Sequence, residues 1–556
     1  MIGSIPHDGI FFVRIHSLLD LLYGKDFGKP TKSYNWTDLD HAISLVVDNG
    51  LHPQFEIMGN PSSWWTDFTN KTQLYAWKEM ITDVANHFIQ KYGLDEVKLW
   101  HFESWNEPRL VPKMFPSFQH LANFYDASSQ GLKEAHPSLI FGGPAASSPN
   151  EYWKQFLAHC DGGINYFTGE KGSRLDFISI HNKGRNVATN VLKEDISAIN
   201  YIRGNHPRFT NTTFFNDEGD PLVGWNKPEE WRADVTYAAM ELKVLKQHLN
   251  HIIYSNTFQP PVHFGLLSND NGFMGDGSFK LRTLNARLSN VTNPGNNNVL
   301  KFETIRKPSF NVMLLLSLIG THSYDITSSD GCNDPNVCPM NGIATLEETS
   351  KESVLSVILY WSTDTTAKNL TENVTVTIKN IPQIFTPGSS KVALYRLDNN
   401  HGSVYGVWES MGKPSIPTED QLLKLRYNQN PTLDFVKTFE PNDVGQYSRE
   451  VEMRLPGIVL LQICHNDGNP PEQVKNVRVT PKPQEQSLIN KQQNWIMWDS
   501  SSSKCIQTYQ VYAAPTKDGE YVQANQGMFL TKGFMHIGSP DLWYKVNSVD
   551  LWGRKS

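Results

Sequence analysis

Val97-Lys98-Leu99-Trp100-His101-Phe102-Glu103-Ser104-Trp105-Asn106-Glu107-Pro108 runs from an apolar stretch into a turn. Residues 97–102 read as a strand and Pro108 stops the chain, which predicts Glu107 at a strand end. The pattern recurs at Thr213-Phe214-Phe215-Asn216-Asp217-Glu218-Gly219, with Glu218 placed before a glycine. Working outwards, strand-like runs at 10–15, 54–58, 97–102, 139–142, 175–180, 213–216 and 262–267 alternate with helical patterns at 36–48, 73–92, 118–135 and 229–249. That alternation is the mark of βα units about a parallel sheet. No Gly-x-Gly-x-x-Gly follows the first strand and no phosphate loop occurs, so an α/β fold of the eight-stranded (β/α) TIM-barrel type is expected rather than an open doubly wound sheet.

The chain has 556 residues, 39% hydrophobic and 11% aromatic, with 38 Gly and 32 Pro, enough for two or three cores. The texture changes to alternating β segments at 354–361, 374–378, 391–397 and 451–461, which suggest a β-sandwich. After Asn469-Pro470-Pro471, runs at 474–479, 495–498, 509–512 and 543–549 read as a smaller fibronectin type III-like sandwich short of its last strand. The expected division is therefore 1–320, 321–468 and 469–556. Trp495, Trp498 and Trp543 are expected in its core.

A net charge of −7 with no Lys/Arg block gives no sign of a nucleic-acid partner. The longest apolar stretch, 312–319, is too short to span a bilayer and adjoins a helix-like segment after Pro308. No signal peptide is visible at the start. Asn-x-Ser/Thr sequons at Asn35, Asn70, Asn211, Asn290, Asn369 and Asn373 nevertheless favour a secretory route and glycosylation. Five cysteines are too few for a disulfide scaffold. Cys332 and Cys338 enclose a short loop that they are able to close, Cys464 and Cys505 flank the junction between the sandwiches, and Cys160 is expected to be a buried thiol. No His-Glu-x-x-His or zinc spacing appears, and no metal or cofactor is implied.

Two carboxylates at the C-terminal ends of barrel strands match the needs of glycosidic cleavage, which takes one protonated and one ionised carboxyl. Glu103 and Trp105 share the parity of Glu107, so alternation alone does not select the acid. Glu103 is expected to be a hydrogen-bonding residue of the barrel interior.

Asn106-Glu107-Pro108 after one strand and Glu218 after a later one resemble the signature of the retaining (β/α)-barrel glycosidases. Within them, Phe102-Glu103-Ser104-Trp105-Asn106-Glu107-Pro108, Asn216-Asp217-Glu218-Gly219-Asp220-Pro221-Leu222-Val223-Gly224-Trp225 and Ser268-Asn269-Asp270-Asn271 are similar to the family that holds the α-L-iduronidases and β-xylosidases. The resemblance covers nearly the whole chain. It implies Glu107 as acid/base and Glu218 as nucleophile, with carboxyls about 5–5.5 Å apart and pKa values separated by their surroundings. It also implies an exo-acting enzyme that releases terminal iduronate from dermatan sulfate and heparan sulfate, placed in the lysosome or secreted.

By the same resemblance Asn106 donates to the sugar 2-hydroxyl. Arg282 and the backbone at Gly224 and Trp225 face the sugar carboxylate, and Lys183, Asp270 and His16 are further sugar contacts. The family's acid follows strand four and its nucleophile strand seven. Counting back makes residues 10–15 strand two, so the first strand is expected to be missing from an N-terminally incomplete chain. A β-xylosidase-like enzyme on neutral sugars and a non-catalytic carbohydrate-binding protein are the competing readings.

Overall fold

The computed structural model describes residues 1–185, 187–221, 227–266, 279–289, 301–366 and 368–556. Two compact units divide the chain, one of Ile10–Val223 with Gln247–Asn269, the other of Met1–Gly9, Gly224–Lys246 and Asp270–Ser556.

The first unit carries seven strands: β1 (Phe12–Ile15), β2 (His52–Glu56), β3 (His101–Glu103), β4 (Ile140–Ala146), β5 (Phe177–Ile180), β6 (Thr213–Asn216) and β7 (Phe264–Leu266). They lie side by side in chain order, every pair parallel, as βαβ units dictate. This is the α/β barrel-type sheet expected, with seven strands among the described residues. The connecting helices include α1 (Thr37–Val47), α2 (Lys71–Tyr92), α3 (Phe118–Ala135), α4 (Glu151–Gly162) and α5 (Ala188–Asn205). In α2, Asn70 accepts from the Gln73 N–H at 3.1 Å and starts the helix. Leu74, Trp77, Met80, Ile81, Val84 and Phe88 follow at helical spacing and are buried. Phe88 packs on Phe55 of β2 and on Trp100, so the core runs between the helices and the outward face of the sheet. Each such side chain contributes about 1.5–3 kcal/mol by leaving water.

The opposite strand parity points into the barrel. Phe12, His101, Phe177 and Phe215 form an aromatic floor with centroids 4.3–5.4 Å apart. One step towards the C-terminal ends, Arg14, Gln54, Glu103, Ser179 and Asp217 make a polar layer, which must be internally paired because Gln54, Glu103, Ser179 and Asp217 are buried. The run 97–102 is not one strand: Leu94–Val97 is a helical turn and the strand is only His101–Glu103. Asp95 and Glu96 in the first turn suit a helix N-terminus, and this local preference outweighs the β-like Val-x-Leu pattern.

In the second unit a six-stranded antiparallel sheet includes Met340–Glu348, Glu352–Trp361, Gly457–Asn466 and Lys391–Asp398. A ribbon of Leu370–Lys379 and Gln446–Leu455 packs Val374, Val376, Val451 and Met453 onto its Leu355, Val357, Leu394 and Val459, closing a sandwich core. The expected single strand 451–461 is two strands that break at Pro456, which has no N–H for a ladder. Two three-stranded sheets then enclose Ile496, Trp498, Tyr509, Val511, Phe529 and Val546. Of the three expected core tryptophans only Trp498 is fully buried; Trp495 is half-buried and Trp543 is 48% exposed, since its strand turns it to solvent. Disulfides join Cys332 to Cys338 and Cys464 to Cys505, while Cys160 is a buried thiol. No described helix is long and apolar enough to cross a membrane.

Candidate active site

Every charged side chain of the site stands on or just beyond the C-terminal end of a strand in the first unit. Glu107 follows β3 in a left-handed conformation, φ 40° and ψ 56°, which is costly for a non-glycine residue and more so before proline. Its N–H donates to the Ala145 carbonyl of β4 at 2.8 Å, a tie that holds the strained turn. Glu218 follows β6, and a carboxylate oxygen of each glutamate lies within 4.8 Å of the other. That is the close spacing of a retaining pair, since an inverting pair needs about 6.5–9.5 Å to admit a water.

His181, at the end of β5, stands between them. Its Nδ1 lies 2.9 Å from Glu107 Oε1 and 3.6 Å from Glu218 Oε2, and its Nε2 lies 3.3 Å from Asp217 Oδ1. Lys183, two residues on, places Nζ 2.6 Å from Glu218 Oε2. The donor atoms of Glu107, His181 and Glu218 are spaced as metal ligands are. Lys183 and the Arg14 guanidinium, 3.6 Å from Glu218 Oε1, already supply the positive charge a metal would bring.

Arg14 holds the floor of the site. Its Nε donates to Glu103 Oε2 at 2.6 Å and approaches Asp217 Oδ2 at 3.1 Å. Its NH2 pairs with Glu56 and donates to Asn106 Oδ1 at 3.0 Å. The register explains the convergence: Arg14 pairs with Gln54, and Glu56 with Glu103, so residues far apart in sequence share one layer. With its oxygen turned to Arg14, Asn106 has its amide N–H groups left for a ligand hydroxyl. His16 Nδ1 meets Glu56 Oε2 at 2.5 Å.

The electrostatics follow from this packing. Burial pushes the Glu218 carboxyl up, but His181, Lys183 and Arg14 outweigh it and hold it far below the ordinary glutamate range. The hydrogen bond from His181 and its charge hold Glu107 below its usual value as well, against burial and the repulsion of Glu218. Burial pushes the His181 ring down, yet Glu218, Asp217 and Glu107 bring it up to about 10. Glu103 is pushed up by burial and by Asp217 against the pull of Arg14, while Asp217 is held down by Arg14 and His181 against burial. Of the two, Glu103 is therefore the one that takes up a proton more readily.

A deeper layer fixes the strand ends. Asp195 of α5, fully buried, accepts from Asn182 Nδ2 at 2.8 Å and from Asn216 Nδ2 at 3.1 Å, and lies 2.8 Å from His248 Nε2. Asn182 sits between His181 and Lys183, and Asn216 directly precedes Asp217 and Glu218.

Of the residues singled out from sequence, the structure brings together Glu107, Glu218, Asn106, Lys183 and His16. Arg282 is buried in the other unit. Gly224, Trp225, Asp270 and Asn290 lie outside the described residues. Asn35, Asn70, Asn211, Asn369 and Asn373 are all exposed. Sequence reasoning passed over Arg14, Glu56, His181, Asp195 and Asp217. The available signal was strand parity, which aligns Arg14 with His16 and His181 with Lys183.

A parallel barrel-type sheet with two carboxylates this close at its C-terminal end defines a glycosidase. The profile of Glycosyl hydrolases family 39 matches residues 3–444, and the chain belongs to that family. It is 35% identical to α-L-iduronidase of Canis lupus familiaris, across 100% of this chain and 84% of that protein. A solved bacterial orthologue of human α-L-iduronidase superposes with a TM-score of 0.87 at 27% identity, covering 100% of this chain and 91% of that one. A β-xylosidase of Geobacillus stearothermophilus is 28% identical across only 31% of this chain and 36% of its own length.

Proposed function

We propose that this glycosidase is a retaining, exo-acting α-L-iduronidase that removes terminal iduronosyl residues from dermatan sulfate and heparan sulfate. The observation that carries the mechanism is the approach of Glu107 and Glu218 to within 4.8 Å, with cations gathered on Glu218. Glu218 attacks the anomeric carbon and forms a glycosyl ester while Glu107 gives its proton to the leaving oxygen. Glu107 then takes a proton from water, which attacks the ester and frees Glu218. Lys183 and Arg14 keep Glu218 ionised for attack, and Asn106, oriented by Arg14, donates to the 2-hydroxyl.

His16 and Lys183 act as sugar contacts in this reading, with Arg282, Gly224, Trp225 and Asp270 assigned on the motif match alone. The sequence match to the iduronidase spans the whole chain and that to the β-xylosidase of Geobacillus stearothermophilus under a third of it, which supports iduronate over a neutral pentose. The sequons support N-glycosylation, and the lysosome as the place of action. The division at about 320 and 468 is our proposal for the domains.

The test is hydrolysis of an aryl α-L-iduronide at acidic pH by the parent, Glu107→Ala and Glu218→Ala, with azide added. The parent should release the aryl alcohol with retention. Azide should return a glycosyl azide of retained configuration from Glu107→Ala and of inverted configuration from Glu218→Ala. The same azide product from both variants, or parent activity on an aryl xyloside alone, would overturn the assignment.

A further inference from the structure

The glycosidase reading needs Glu107 protonated in the first half-reaction, yet its nearest neighbour is a histidine aimed at it. The His181 side chain has no exposed surface, and both ring nitrogens face carboxylate oxygens: Glu107 Oε1 at 2.9 Å and Glu218 Oε2 at 3.6 Å from Nδ1, Asp217 Oδ1 at 3.3 Å from Nε2. A neutral imidazole has one donor and one acceptor nitrogen, so one of these contacts would set a lone pair against an anion.

Among the described residues Nε2 has one other polar neighbour in hydrogen-bonding range, Arg14 NH2 at 3.5 Å. That nitrogen also donates to Asn106 Oδ1 at 3.0 Å and pairs with Glu56. Asp217 Oδ1 is itself buried and has no donor in hydrogen-bonding geometry among the described residues, so a proton on Nε2, 3.3 Å away, is what would pair it. A proton on each ring nitrogen gives both the Glu107 and the Asp217 carboxylate a donor.

We propose, resting on the reading above, that His181 is a positioning residue, a fixed imidazolium that holds Glu107 ionised in the resting site. Glu107 then takes up its own proton only from an acidic solution, which confines the first half-reaction to low pH. The groups facing the ring are Glu107 beyond β3, Asp217 and Glu218 beyond β6 and Arg14 of β1; Lys183 adds a second cation near Glu107. The direction of the Glu107 and His181 shifts agrees with this arrangement.

The sign is definite. A carboxyl held below its usual value stays ionised until the pH falls through that lowered value. Glu218, held lower still, remains an anion there. The active form, protonated Glu107 with ionised Glu218, therefore occupies an acidic window whose alkaline edge is set by His181.

The experiment uses the full chain and His181→Gln, which keeps an N–H donor for Glu107 without the charge. The 13C-labelled carboxyl resonance of Glu107, assigned by difference from Glu107→Gln, should titrate about one pH unit or more higher in the variant. The alkaline limb of kcat/KM should move up with it. In the parent, ring 15N shifts should report two protonated nitrogens at pH 7, a measurement that needs no variant to fold.

A neutral ring in the parent, or an unmoved Glu107 midpoint in a folded variant, would overturn the proposal. So would a downward shift, which would make the ring the source of the acid's proton. If no aryl iduronide is cleaved at any pH the functional reading fails, while the two titrations still decide the role of His181.

Discussion

Replacing Arg14 by methionine tests the charge arrangement most directly. Methionine keeps the length and removes a guanidinium that meets Glu56, Glu103, Asp217, Glu218 and Asn106 at once. Three of those carboxylates are fully buried. Breaking a buried ion pair costs about 3–5 kcal/mol because the partner is left uncompensated. The carboxylates recover part of that by taking up protons, so we expect the lower end, about 3 kcal/mol at pH 7. For a unit of this size that is roughly a 10 °C fall in Tm.

The pH dependence supplies the check. Without Arg14, burial raises the folded-state pKa of Asp217 above its unfolded value and lifts those of Glu56 and Glu103, already raised beside Arg14, further. A group with a raised folded pKa stabilises below its unfolded pKa and loses that contribution as pH rises through the folded value. The deficit of Arg14→Met against the parent should therefore be largest at neutral pH and shrink on acidification. Chemical denaturation at several pH values from 4 to 8 measures it. A deficit below 1 kcal/mol, or one that does not vary with pH, would refute the picture of Arg14 as the counter-ion of a buried acid cluster.

Lys183→Met removes the closest cation from Glu218, so its carboxyl rises and the acidic limb of kcat/KM should move to higher pH; an unmoved limb in a pH–rate series would count against the pairing. Asp195→Ala should lower kcat about 10-fold at little change in KM, because it frees the strand ends carrying Lys183 and Glu218 without touching substrate, and should cost about 1–3 kcal/mol through unsatisfied buried partners. Glu303→Ala, in the other unit, leaves Arg426 and Lys482 without a carboxylate each meets at 3.0 Å; we expect about 3–5 kcal/mol lost by denaturant titration.

The order of elements was legible because strands and helices are punctuated locally. Phe118–Ala135 and Thr213–Asn216 fall where hydrophobic period and turn residues place them. Where local signals compete, reading fails: Val97-Lys98-Leu99 looks like a strand, but Asp95 and Glu96 after Gly93 favour a helical turn. Pro456 splits what hydrophobicity alone presents as one run. Trp543 shows the limit of composition, since an aromatic on an alternating strand points inward or outward according to register, and register is set by the partner strand.

The site divides along the same line. Glu107 and Glu218 were readable because each stands at a strand end beside a proline or glycine, a signal contained within a few residues. Arg14 was not, because its meaning depends on three strands it pairs with or faces. In Phe12-Val13-Arg14-Ile15 it is an ordinary arginine on a short strand. It becomes the counter-ion of the site only when parallel pairing sets it level with Gln54 and beside Glu103 and Asp217. His181 is the sharper case. A sequence gives no reason to expect a histidine with three carboxylate neighbours, and its charge in turn decides when Glu107 holds a proton. The reacting pair is written locally, whereas the pH at which it works is written in cross-strand contacts, so reading that property requires the sheet to be assembled first.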